Sequence, residues 1–126
     1  MVKLLLVGAG SFLGGIARWT LSGLVHRWAG AGFPWGTLAV NVAGCFAIGA
    51  VLHLVEDRSL LGPDARLFLV VGILGGFTTF SAFGWETFEL LRSNQLGLAL
   101  LNAGGSVAGG LAAVWLGRAA LRALGL

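Results

Sequence analysis

The sequence predicts an all-α membrane protein built from four transmembrane helices. The mean hydropathy of its 126 residues is +0.92, and only 10% of them are charged, whereas soluble domains carry about 25% charged residues. A soluble chain of this length could not bury so much apolar surface, because small domains have a high ratio of surface to volume. Four apolar stretches are each long enough for the roughly 20 residues that cross a bilayer.

The four stretches follow one another closely and form a single domain over residues 1–126. They cover about residues 2–28, 35–55, 66–91 and 96–116. A glycine-rich segment ending at Pro34, the turn at Gly62-Pro63 and a polar run over residues 92–95 separate them. Because short loops imply antiparallel neighbours, we expect an up-down-up-down bundle.

The first helix contains one charged residue in its interior, Arg18. Ionisable groups inside a membrane are costly and therefore indicate functional positions. Arg18 either lines an aqueous vestibule or joins a structural hydrogen-bond network, and the sequence leaves both roles open. The run from Lys3 to Gly14 looks like a dinucleotide-binding turn. However, no acidic residue follows it before Glu56, so no nucleotide cofactor is predicted.

The second and fourth helices each carry a neutral polar residue. Asn41 either makes an interhelical hydrogen bond or lines a pore as a donor, and Ser106 can bond to a carbonyl of its own helix. Small residues spaced four apart are typical of close helix packing in membranes. The pairs of this kind are Gly10/Gly14, Gly72/Gly76 and Gly105/Gly109. Since four helices alone enclose little space, this packing also suggests a dimer.

The centre of the third helix consists of residues that form helices poorly. Gly75 and Gly76 are followed by Thr78 and Thr79, so we predict a local break here. Unwound backbone at this depth persists only where it lines a cavity or coordinates an ion. Its freed carbonyls suit a hard monovalent cation. Glu86 lies nearer the helix end, where its side chain can face a vestibule.

Aromatic and hydroxyl side chains alternate after this predicted break. Phe77, Phe80 and Phe83 recur every three residues, with Thr79 and Ser81 between them. An aromatic ring has a positive edge, so paired rings and hydroxyl donors can together replace the water around an anion. This pattern indicates a path for a small, strongly hydrogen-bonding anion.

Three segments resemble motifs of the fluoride channel family known as Fluc or CrcB. They are GGIARW at Gly14 to Trp19, GTLAVNVAG at Gly36 to Gly44, and GGFTTFSAF at Gly75 to Phe83. The resemblance implies a multi-pass protein of the cell inner membrane or plasma membrane. Such a protein exports fluoride passively down its electrochemical gradient and so reduces fluoride toxicity in the cytoplasm.

The resemblance also implies an assembly and a set of site residues. The family fold is an antiparallel, dual-topology homodimer in membrane lipid, with two fluoride pores. A structural Na⁺ at the dimer centre would be bound by the backbone carbonyls of Gly75 and Thr78. The residues implied along the fluoride pathway are Asn41, Thr79, Phe80, Ser81, Phe83 and Ser106, with Arg18 at the family's arginine position and Glu86 at its vestibule glutamate.

This sequence departs from the family pattern at two positions. Ala82 replaces a threonine and removes one hydroxyl from the polar track, and Asn102 stands where many members carry tyrosine. The alternative function is that of a small multidrug-type, proton-coupled exporter, which needs a carboxylate near the membrane centre. The first helix has none. Neither an enzyme nor a nucleic-acid partner is predicted, since no nucleophile–base set or basic stripe is present.

Overall fold

The computed structural model describes all 126 residues as helices joined by short connections. The six α-helices are α1 (Val2–Ala29), α2 (Trp35–Leu52), α3 (Pro63–Arg66), α4 (Gly75–Phe77), α5 (Phe80–Arg92) and α6 (Leu96–Ala123). Two π-helical segments, His53–Asp57 and Leu67–Leu74, continue α2 and α3 respectively.

Four helical units are long and apolar enough to cross a membrane. They are Val2–Ala29, Trp35–Asp57, Pro63–Arg92 and Leu96–Ala123, which we call the first to fourth spans. The predicted all-α class and the number of spans are therefore confirmed. The fourth span extends beyond the predicted end near residue 116. It does so because Gly117 packs against the second span and Arg118 reaches the Asp57 carboxylate.

The spans pack closely through glycines. The second span packs mainly against α6, and α1 packs mainly against Leu67–Leu74. A Cβ atom on Gly10 would lie 2.7 Å from the Gly72 Cα atom, so the two backbones touch where the glycine spacing predicts close packing. Gly105 has no atom of another span near its Cβ position. Its predicted packing partner is therefore not found within the chain.

Apolar side chains cover the outside of the bundle. Only 16 of the 126 residues are buried, and leucine and tryptophan side chains are exposed along the spans. Exposed apolar surface on this scale is unfavourable in water and favourable in hydrocarbon. The burial pattern therefore matches a chain whose solvent is lipid.

Candidate functional site

The third span changes backbone conformation at Thr78 and Thr79. Both residues are extended, with φ/ψ of −80°/158° and −148°/115°, between the helical segments Gly75–Phe77 and Phe80–Arg92. The Thr79 hydroxyl accepts a hydrogen bond from the Ala82 amide at 3.2 Å. Thr79 is therefore the N-cap of α5, a role for which threonine is well suited.

The Asn41 side chain of α2 pairs with both polar groups of the Thr79 backbone. Its Nδ2 donates to the Thr79 carbonyl at 3.0 Å, and its Oδ1 accepts from the Thr79 amide at 2.8 Å. Backbone groups in a membrane need partners within the protein. Asn41 supplies the partners of the Thr79 amide and carbonyl, which have no partners within a helix.

This arrangement leaves two carbonyls without their usual helical donors. In a continuous α-helix the Gly75 and Thr78 carbonyls would accept from the amides of residues 79 and 82. Here the Thr79 amide donates to Asn41, and the Ala82 amide donates to the Thr79 hydroxyl. Both carbonyl oxygens thus remain available as ligands.

A groove of about 420 Å³ runs beside this segment between α2, α5 and α6. We call it the aromatic groove. Seven of the ten predicted site residues line it: Asn41, Gly75, Thr78, Thr79, Phe80, Phe83 and Ser106. No charged side chain is among its 13 lining residues, so its polarity comes from neutral groups alone.

Two phenylalanines and a serine give the aromatic groove its chemical character. The ring centroids of Phe80 and Phe83 are 5.5 Å apart and the ring planes are tilted by 41°. The Ser106 Oγ is buried and has no hydrogen-bond partner within the chain. An anion in the groove would therefore meet two phenylalanine rings and a free hydroxyl donor.

The remaining predicted residues lie outside the aromatic groove. Arg18 and Glu86 line a second cavity of about 490 Å³, which Thr79 also borders. Ser81 is exposed at the start of α5, with its Oγ 3.4 Å from the Thr79 Oγ1. Thr79 thus lies between the two cavities and is the one predicted residue that lines both.

Sequence reasoning missed two threonines that hold polar side chains in place. Thr37 donates to the Glu86 Oε1 at 2.7 Å, and Thr87 accepts from the Asn102 Nδ2 at 2.9 Å. Thr37 lies four residues before Asn41 and so shares its face of α2, which is a signal that could have identified it.

Known proteins similar to this chain match almost its full length. The sequence model of the family described as CrcB-like protein, Camphor Resistance (CrcB), matches residues 5–118. A protein of Hydrogenovibrio crunogenus named fluoride-specific ion channel FluC is 47% identical over 117 residues, covering 93% of this chain and 89% of that protein. A protein of the same name from Thermus thermophilus is 50% identical over 117 residues, covering 93% of each chain. That of Geobacter sulfurreducens is 44% identical over 124 residues, covering 98% of this chain and 100% of its own. The chain therefore belongs to the CrcB family.

Proposed function

We propose that this protein is a fluoride-selective ion channel through which fluoride leaves the cell passively, down its electrochemical gradient. Export of this kind would lower the toxicity of fluoride in the cytoplasm. The observation that carries the proposal is the aromatic groove, which combines the Phe80–Phe83 pair with neutral donors and has no charged lining. The names of the similar proteins, fluoride-specific ion channels, support the same function.

The groove suits fluoride because this ion holds its water strongly. A channel must replace that water with donors that bind the ion without trapping it. The ring edges of Phe80 and Phe83 and the hydroxyls of Ser106 and Thr79 are weak, neutral partners of this kind, and the Ser81 hydroxyl lies just outside the groove beside Thr79. The absence of a fixed positive charge in the groove allows the ion to leave again.

The second cavity has the features of a vestibule. The Arg18 guanidinium and the Glu86 carboxylate both line it. Thr37 holds one oxygen of Glu86, and the other oxygen is buried without a partner. In this proposal Arg18 attracts anions from water, and Glu86 marks the end of the path beside Thr79.

The exposure of the groove favours a second copy of the chain as its other wall. Phe80 is 84% exposed, and Gly75 beside it is also exposed. A pore lined by these residues needs a partner surface to exclude lipid. We therefore propose a homodimer, antiparallel and of dual topology, in the cell inner membrane or plasma membrane.

The Gly75 and Thr78 carbonyls fit a structural Na⁺ at the centre of such a dimer. Their helical donors are engaged elsewhere, and oxygen ligands of this type suit a hard monovalent cation. Two carbonyls from each chain would supply four ligands. The ion would supply a positive charge that holds the two third spans together.

A flux assay in liposomes tests the proposed function. Purified protein in vesicles loaded with potassium fluoride or potassium chloride, with valinomycin added, should release fluoride far faster than chloride. Ion-selective electrodes measure both rates. Equal rates for the two halides would refute fluoride selectivity.

A matched pair of phenylalanine variants tests the site. Phe80→Leu removes a ring from the groove and should lower the fluoride flux by roughly tenfold or more, the effect of losing about 1.4 kcal/mol of ion stabilisation. Phe68→Leu is the control, because Phe68 lies on the same span but outside the groove. Equal fluxes from the two variants would remove Phe80 from the pathway.

A further inference from the structure

We propose that Asn102 is a positioning residue that holds Phe83 at the aromatic groove by way of Thr87. Its Nδ2 donates to the Thr87 Oγ1 at 2.9 Å, and the Thr87 hydroxyl donates to the Phe83 carbonyl at 2.7 Å. The two bonds form a continuous chain from α6 to the backbone of a groove-lining residue. The expected effect on flux rests on the proposed channel function, whereas the effect on the ring does not.

The burial of Asn102 makes this chain of bonds strong. Asn102 is 1% exposed and is one of the two largest fully buried side chains. A buried amide without a partner is costly, so its bond to Thr87 is maintained. Because the amide donates to the Thr87 oxygen, the hydroxyl proton of Thr87 is directed to the Phe83 carbonyl.

The helical spacing connects this bond to the groove. Phe83 and Thr87 are four residues apart on α5, and Asn102 and Ser106 are four residues apart on α6. Residues with this spacing lie on the same helix face, one turn apart. The Asn102–Thr87 bond therefore sets the rotation and height of α5 against α6, and so the distance between the Phe83 ring and the Ser106 hydroxyl.

A second amide acts on the other end of the same segment. Asn41 of α2 pairs with the Thr79 backbone at the start of α5. Helix α5 is thus held to α2 by Asn41 and by the Thr37–Glu86 bond, and to α6 by Asn102. Contacts to two different helices determine the orientation of a short helix, whereas contacts to one helix would leave it free to turn.

Flux measurements in liposomes test the coupling between the two residues. Asn102→Leu and Thr87→Val should each lower the fluoride flux by roughly tenfold. The double variant should be no slower than the slower single variant, because both substitutions break the same chain. Thr87→Ser keeps the hydroxyl and should retain the flux, and Thr20→Val, at an exposed position on α1, is the control. Losses that multiply in the double variant, or a Thr87→Ser variant as slow as Thr87→Val, would overturn the proposal.

A spectroscopic measurement tests the same inference without ion flux. With 4-fluorophenylalanine at position 83, the ¹⁹F resonance should shift or broaden in Asn102→Leu and in Thr87→Val. The same label at Phe88, which is exposed on α5, should change little. An unchanged resonance at position 83 in a folded Thr87→Val protein would overturn the inference, even if the parent protein conducted no fluoride. If the unsubstituted protein conducted no fluoride, only the proposed function would be overturned.

Discussion

Thr79 contributes to the site through both its backbone and its side chain. The backbone amide and carbonyl pair with Asn41, and the hydroxyl caps α5 while lying near the Ser81 hydroxyl. An extended residue followed at once by a helix needs such a cap, because the first helical amides have no partner within the helix. Thr79 therefore begins α5 and at the same time joins it to α2.

Substitutions at Thr79 should separate the effect of the helix cap from the effect of side-chain size. Thr79→Val has nearly the same shape but no acceptor for the Ala82 amide, so we expect a loss of about 1 kcal/mol in stability and a lower fluoride flux. Thr79→Ser keeps the oxygen and should preserve both. Thermal unfolding in detergent and fluoride release from liposomes measure the two effects. A valine variant as stable and as active as the parent would show that the cap is dispensable.

Some polar residues could be identified from the sequence and others could not. Asn41 and Ser106 stand out because they interrupt apolar helices, and the structure brings both to the aromatic groove. Thr37 is marked only by its place on the Asn41 face of α2, and Thr87 is not marked at all, since a threonine hydroxyl can bond within its own helix. Their roles depend on Glu86 and Asn102, which are distant in sequence and near only after folding.

At the scale of the elements, close helix packing depends on glycines at positions where there is no room for even the methyl group of alanine. A Cβ on Gly14 would overlap the Ile73 carbonyl oxygen, and one on Gly117 would overlap the Phe46 carbonyl oxygen. The spacing of Gly10 and Gly14 predicts such a face, but spacing cannot tell which helix lies opposite. The contact of Gly117 with α2 therefore emerges only from the fold.

Two glycines on α1 provide a direct test of this packing. Gly14→Ala places a methyl group against the backbone at Ile73 and should destabilise the protein by about 1–3 kcal/mol. Gly8→Ala, on the same helix with no neighbouring atom within 4 Å of the added carbon, should be neutral or stabilising by up to about 1 kcal/mol. Unfolding in increasing concentrations of sodium dodecyl sulfate, followed by circular dichroism, compares them. Equal stabilities for the two variants would contradict close packing of Gly14 against Ile73.

The third span shows what residue type can and cannot predict about an element. The glycines and threonines of residues 75–79 indicated irregular backbone, and the structure has extended torsions at Thr78 and Thr79. The π-helical segment Leu67–Leu74 just before them was not predicted. Its leucines and valines are ordinary for a membrane helix, so nothing in its residue types indicates the wider turn.

At the scale of the whole molecule, a cluster of charges joins the ends of the second and fourth spans. Asp57 accepts hydrogen bonds from Arg118 and Arg122, and one of its oxygens lies 2.5 Å from the His53 Nδ1. Arg58 donates to the Gly125 carbonyl at 2.6 Å. These contacts lie at one end of the bundle and hold the end of α6 against the second span.

Removal of the Asp57 charge should loosen that end of the bundle. Asp57→Asn leaves two arginines without a counter-charge, so we expect a lower melting temperature in detergent at low salt. The difference from the parent should shrink at high salt, because exposed ion pairs are screened. Asp64→Asn removes an exposed carboxylate outside this cluster and is the control. If the difference in melting temperature did not change with salt, Asp57 would act through packing and not through its charge.

The number and order of the spans could be predicted because hydropathy and length determine them directly. The aromatic groove could be predicted only as a group of residues. Its geometry depends on the Asn41–Thr79 pairing and on the exposure of Phe80, and neither follows from the order of residues along the chain. The second copy of the chain that we propose to cover Phe80 likewise cannot be deduced from the order of residues.

The pairing of Asn41 with Thr79 also limits how this protein can evolve. The amide imitates what an adjacent antiparallel β-strand offers to a single residue, one donor for its carbonyl and one acceptor for its amide. Glutamine is a methylene longer, aspartate lacks the N–H, and serine has a single oxygen, so none supplies both groups from the same place. Nearly every substitution of Asn41 would leave a backbone N–H or C=O of Thr79 without a hydrogen-bond partner in hydrocarbon. We therefore expect position 41 to remain asparagine while residues on the lipid-facing surface change freely during evolution.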